Sequence, residues 1–160
     1  MRPIVLATDG SPSAAEATLK AVELARTLEV PLVAVAVEHV AVPSYGYFGY
    51  AQILSDLTKI ESRHVDETLA QAKGVASEAG VECAALHCTG PVVDAICDAA
   101  RARQAQLIVI GAHGWGPIRR TVHGSISTGV LHEAPCPVLV VRGGPEALLE
   151  TAALETVVAS

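Results

Sequence analysis

LIVIGAHGWGPIRRTVHGSISTGVLHEAPCPVLVVR, residues 107–142, is the stretch around which the chain is organised. Four β-formers lead into Gly111; two residues later comes Gly114, and nine residues after that Gly124-Ser125. A second apolar run, Val138 to Val141, follows Ala134-Pro135-Cys136-Pro137. The order is strand, glycine loop, helix, strand. Glycines at 111 and 114 let a backbone turn with positive φ and approach a bound group that a Cβ would block. Gly124-Ser125 opens a helix, where amides without helical partners and the macrodipole favour an anion. The stretch reads as a phosphate cradle.

Two other cradles are excluded by inspection. The loop lacks the Gly-Lys-Ser/Thr ending of a P-loop and the third glycine of a dinucleotide fingerprint. The spacing Gly-x2-Gly-x9-Gly-Ser instead resembles the ATP-binding motif of the universal stress protein family. The resemblance extends to Asp9-Gly10-Ser11 after the first strand and to the closing Cys136-Pro-Val-Leu-Val-Val-Arg142, and so covers nearly the whole chain up to Arg142. Two positions depart from the family pattern: Gly90 and Pro91 are adjacent where the family tends to separate them by one residue, and Gln106 replaces the aspartate usual before the fourth strand.

A chain of 160 residues is the size of one domain and long enough to bury most of its apolar surface. Half of it is apolar but only 3% aromatic, so the core must be made of Val, Ile, Leu and Ala, as in a close-packed α/β sheet. A formal charge of -6 argues against nucleic acid or an anionic membrane as partner, while a nucleotide phosphate needs only local positive potential. Met1-Arg2-Pro3 enters a strand at once, without a signal segment, and no run approaches the roughly eighteen apolar residues of a membrane span. A cytoplasmic protein is expected. Cys83, Cys88, Cys97 and Cys136 show no zinc or Cys-x-x-Cys spacing and are expected as buried free thiols.

Taken in order, Ile4 to Thr8 is a buried strand, and Asp9-Gly10-Ser11-Pro12-Ser13 caps a helix whose Ala14, Ala17, Ala21, Leu24, Ala25 and Leu28 recur at helical spacing. Leu32 to Val37 is the second strand. Residues 41–50, AVPSYGYFGY, hold every tyrosine and the phenylalanine of the chain and read as a loop, either a flap over the core edge or a lid for a base or a partner. An amphipathic helix is expected from about Ile53 to Ala79, with Leu57, Val65, Leu69, Ala72, Val75 and Ala76 inward and Gly80 as its stop. Val81 to Leu86 is the third strand, Val92 to about Arg103 the third helix, and Leu107 to Ile110 the fourth strand. This alternation is the pattern of a parallel sheet with helices on both faces, a flavodoxin-like or Rossmann-like sandwich. The chain divides into a domain, 1–142, and a C-terminal extension, 143–160, that is either a short helix or a frayed tail.

The resemblance implies strand order 3-2-1-4-5, a Rossmann-like, adenine-nucleotide α-hydrolase-like sheet, with the ligand crevice between strands one and four. It further implies ATP with Mg²⁺ or Mn²⁺ as ligand and a homodimer paired through Val138 to Val141, where an exposed edge would otherwise invite aggregation. Asp9, ending the first strand, is a ribose acceptor or cation ligand, with a turn or cap aspartate as the plainer alternative. Val37 matches the position whose backbone reads the adenine edge. Gly111, Gly114, Gly124 and Ser125 form the cradle, with Ile126 and Ser127 as further phosphate donors, against the alternative of a tight loop needing glycine for geometry alone. Arg119 and Arg120 inside the loop are either further phosphate contacts or solvent-exposed charge, His113 and His123 flanking it either touch a phosphate or are solvated, Trp115 at its tip either closes over the nucleotide or packs on a neighbour, and His39, His64, His87 and His132 show no ligand spacing.

The function expected is that of an ATP-binding stress regulator with at most slow hydrolysis, since no general base is placed. Two rivals stand beside it: a nucleotide-free dimeric interaction module, and an adenine-nucleotide hydrolase-like enzyme.

Overall fold

The computed structural model describes residues 1–38, 51–112 and 125–142, without the side chains of 51–54. The Tyr-rich segment 41–50 and the extension 143–160 lie outside the described residues. The elements are β1 (Ile4–Ala7), α1 (Pro12–Thr27), β2 (Leu32–Glu38), α2 (Ala51–Glu78), β3 (Cys83–Thr89), α3 (Val92–Ala102), β4 (Leu107–Gly111), α4 (Ser125–Glu133) and β5 (Val138–Val141). The strands form one parallel sheet in the order β3-β2-β1-β4-β5, as expected. In register, Ile4 lies between Leu32 and Leu107, and Leu32 in turn pairs with Cys83.

Strand alternation divides the core in two. Ile4, Leu6, Leu32, Ala34, Ala36 and Val109 face α1 and α2, where Ala17, Ala21, Val65, Leu69, Ala72 and Ala76 meet them. Val5, Ala7, Val33, Val35, Ile108 and Ile110 face α3 and α4 through Ile96, Ala99, Ala100 and Val130. The alanine face of α1 explains how it lies close on the sheet: Ala17 and Ala21 are fully buried. Leu57 departs from its expected inward position. It is 54% exposed, with Ile60 exposed on the same helix.

The helix boundaries follow local chemistry. Ser11 accepts from the Ala14 amide at 3.2 Å and Pro12 opens α1 with its preset φ. Past α2, Gly80 takes φ +72 and Val81 donates to the Ala76 carbonyl, so Val81 belongs to the helix stop and β3 begins later than its apolar run suggests. The adjacent Gly90-Pro91 is accommodated directly, with Gly90 at φ +110 and Pro91 as the residue before α3. Gln106 uses its side-chain amide on the Arg2 carbonyl, a tie at the amino end of the sheet, away from the crevice.

Candidate functional site

In a sheet of this order the chain reverses direction across β1 and β4, and their carboxyl ends open the crevice where ligands of such folds bind. Three short segments stand there. Residues 8–11 leave β1, Gly111-Ala112 leave β4, and Ser125 to Ser127 begin α4.

Asp9 is exposed, in a turn just past β1. Its Oδ1 accepts from the Ser11 amide at 2.9 Å, so the turn role expected as the plainer alternative is present. Gly10 follows at φ +76, and a Cβ there would stand 2.9 Å from Thr68 Oγ1 and 3.5 Å from the His64 ring, so both conformation and space demand glycine. His64 Nε2 lies 3.3 Å from the Asp9 carbonyl oxygen, a contact in which that nitrogen must be the donor. A neighbouring helix thus holds the Asp9 turn from outside. Neither His64 nor Thr68 is marked by the sequence. Their four-residue spacing puts them on one flank of α2, but nothing local says that the flank meets residue 10.

Gly111 has a packing role of its own. Its φ lies outside the left-handed region, and the space a Cβ would fill is taken by Ser13, whose Oγ, carbonyl carbon and oxygen lie 2.7, 2.9 and 2.9 Å away. Glycine at 111 lets the first turn of α1 press against the end of β4. The same end is tied to α4, for buried Ser127 donates its hydroxyl to the Ala112 carbonyl at 3.4 Å. That bond commits the Ser127 hydroxyl proton, leaving the main chain of residues 125–127 as the feature suited to an anion: the first amides of a helix have no carbonyl partner within it. Ser125 and Ile126 are exposed. The starts of α1 and α4 therefore flank Gly111-Ala112 from two sides, both with the positive ends of their dipoles at the sheet's carboxyl edge.

Val37 is half-buried near the end of β2, paired with Cys88, its backbone on the strand next to β1. Gly114 and Gly124 lie outside the described residues, as do His39, His113, Trp115, Arg119, Arg120 and His123. Among the described residues no group of three or more His, Cys, Asp or Glu could hold a metal ion, and no helix is long and apolar enough to cross a membrane. The four thiols are free. Cys97 is buried and Cys83, Cys88 and Cys136 are half-buried, and in each burial is the main cause pushing the thiol up.

Further along the open end, Glu38 of β2, His87 of β3 and Asp66 of α2 meet, the imidazole between the two carboxylates. Reading strands as apolar runs passes over this cluster, because each run appears to stop where its charged residue begins.

Residues 1–142 match the model of the universal stress protein family. The chain is 32% identical over 145 residues to a universal stress protein of Methanocaldococcus jannaschii, the match covering 88% of this chain and 82% of that one. Among solved structures it resembles the universal stress protein UspA from Lactobacillus plantarum, at 28% identity and a TM-score of 0.77, over 88% of this chain and 97% of the other. It also resembles the universal stress protein from Archaeoglobus fulgidus in complex with dAMP, at 28% identity and a TM-score of 0.63, over 88% and 98% of the two chains. On the family match and this identity, the chain belongs to the universal stress protein family.

Proposed function

We propose that the protein binds ATP with Mg²⁺ or Mn²⁺ at the carboxyl ends of β1 and β4 and acts as a nucleotide-dependent regulator in the stress response. The observation that carries this reading is the convergence of the α1 and α4 N-termini on Gly111-Ala112, at the switch point of the sheet. The dAMP complex of the Archaeoglobus fulgidus relative supports an adenine nucleotide as the ligand class. In this reading the amides of Ser125, Ile126 and Ser127, with Gly114 and Gly124, receive the phosphates; the main chain at Val37 reads the base; and Asp9 faces the ribose or the cation. Gly111 shapes the site by letting α1 approach. Mg²⁺ is commonly held by one or two carboxylates together with substrate phosphates, so Asp9 is the residue that would hold a cation here, together with the phosphates of bound ATP, and the cation would offset their charge.

Hydrolysis is at most slow in this reading. A fast enzyme needs a positioned base, and among the described residues the two histidines near this end are engaged elsewhere, His64 with the Asp9 carbonyl and His87 with Glu38 and Asp66. Assembly as a homodimer through β5 belongs to the same proposal. The strand pairs only with β4 among the described residues, all four of its residues are half-buried, and Leu131 of α4 is 46% exposed.

The test is mass analysis of small molecules released from the native protein, followed by calorimetric titration of ATP with and without Mg²⁺. Bound or titratable adenine nucleotide is expected, and Gly124→Val should abolish it with the circular dichroism unchanged. No retained nucleotide and no heat of binding with metal present would favour the nucleotide-free interaction module, and rapid release of AMP and pyrophosphate the enzyme.

A further inference from the structure

Three ionisable side chains from three elements meet at the β3 edge of the sheet, on the face covered by α2. The Glu38 carboxylate ends β2 with its side chain only 9% exposed. His87 lies one strand over, in register with Ala36, and Asp66 reaches across from α2. Nε2 of His87 is 2.8 Å from Glu38 Oε2 and Nδ1 is 2.9 Å from Asp66 Oδ1.

A neutral imidazole has one N–H and one lone pair. Between two carboxylates it would donate to one and set its lone pair against the other, whereas the imidazolium donates to both. The arrangement is that of the charged ring. Burial of the ring opposes its charge, but the hydrogen bonds to Asp66 and then to Glu38 outweigh burial and hold its pKa above the ordinary histidine value. Asp66 on α2 and Glu38 on β2 are the only charged groups that act on it among the described residues; Lys73, further along α2, acts on Cys83 instead. On its own strand stand the thiols of Cys83 and Cys88, both pushed up by burial.

Loss of the ring proton leaves a buried carboxylate facing a neutral group, an arrangement far less favourable than the ion pair. Glu38 directly follows Val37 and both are paired with β3, at Thr89 and Cys88, so the Glu38–His87 contact adds a side-chain tie to the ladder that holds the last peptides of β2. We propose that His87 is a proton-operated clasp on the adenine side of the site: charged, it pins the end of β2 to β3 and α2 and strengthens nucleotide binding, and neutral, it lets that end go. His87 is thus a positioning residue that makes nucleotide affinity respond to acid. The inference rests on the nucleotide reading above.

Two measurements test it. Ring resonances of His87, assigned by their loss in His87→Gln, should titrate with a midpoint above about 6.5 that falls in Glu38→Gln and in Asp66→Asn. A midpoint at or below that value, or one unmoved in both variants, overturns the clasp. Calorimetry with AMP then compares wild type with His87→Gln across pH, and the ratio of affinities cancels the titration of the phosphate itself. The ratio should be near one at about pH 8.5 and rise to about fivefold in favour of wild type below about pH 6. A flat ratio with binding present overturns the clasp and leaves the nucleotide reading standing. Absence of AMP binding at every pH overturns that reading and with it the binding half of this inference. If His87→Gln does not fold, Asp66→Asn, which removes the exposed partner, should flatten the same pH dependence.

Discussion

Replacing Gly111 with alanine separates packing from ligand contact at the residue that heads the glycine loop. A Cβ there would stand 2.7 Å from Ser13 Oγ and 2.9 Å from both the carbonyl carbon and the carbonyl oxygen of Ser13. The hydroxyl can rotate away. The carbonyl cannot, because it belongs to the first turn of α1, fixed by the Ser11 cap and by buried Ala14 and Ala17. Ordinary contact therefore requires α1 and the end of β4 to separate by about half an ångström, and overpacking of this kind costs about 1–3 kcal/mol. For a domain of this size about 2 kcal/mol lowers the melting temperature by about 4–8 °C. Urea denaturation followed by circular dichroism measures it, with an unchanged m-value showing that the unfolded state is the same. Adding Ser13→Ala should recover only a small part of the loss, because the two backbone contacts remain. A Gly111→Ala protein within about 0.5 kcal/mol of wild type that no longer binds ATP would refute the argument and return Gly111 to direct contact with the ligand.

Gly129→Ala should act similarly on the contact between α3 and α4, since its Cβ would lie 2.7 Å from Val93 Cγ2; a cost of about 1–2 kcal/mol in urea denaturation is expected. Here the obstacle is a side chain, so Val93→Ala in the same chain should recover at least half of it, in contrast to the Ser13 case. Glu29 holds φ +53 just after α1, a conformation that costs a non-glycine residue about 1–2 kcal/mol, and Glu29→Gly should stabilise the protein by about 0.5–1 kcal/mol in the same assay. The raised pKa of His87 makes its contribution to stability complete below about pH 6.5 and progressively lost as pH rises through the folded-state value. The urea midpoint of wild type should accordingly fall over that range, and less so in Glu38→Gln.

Most of the architecture was legible because it depends on periodicity. The buried runs of β1, β2 and β4, the alanine stripe of α1 and the Gly80 stop of α2 are local signals whose meaning does not depend on distant partners. What misled was charge and close approach. The apolar runs end at Val37 and Leu86, yet both strands continue, through Glu38 paired with Thr89 and through His87 paired with Ala36, and the two charged side chains meet on the diagonal. The spacing of Gly111 points to room for a ligand, and on its Cβ side that room is filled by the protein's own α1. A glycine records only that something comes close; identifying that neighbour takes the fold. Leu57 shows the converse, a residue with helical periodicity whose turn of α2 does not cover the sheet.

The part of α2 that does cover the sheet joins the two sides of the site. Successive residues on a helix point about 100° apart, so when Val65 and Leu69 face the core, His64 and Thr68 fall on one flank and Asp66 on the other. The first flank meets Gly10 and the Asp9 carbonyl after β1; the second meets His87 on β3. A single turn thus touches the ribose side and the base side of the proposed crevice while its middle is fixed in the core. Rotating α2 by one residue would bury a charge and break both contacts together, so the packing that stabilises the domain also sets the position of the Asp9 turn relative to the end of β2. In the proposed clasp, an adenine nucleotide spanning those two points would register both this turn and the end of β2, the two elements that His87 ties to β3.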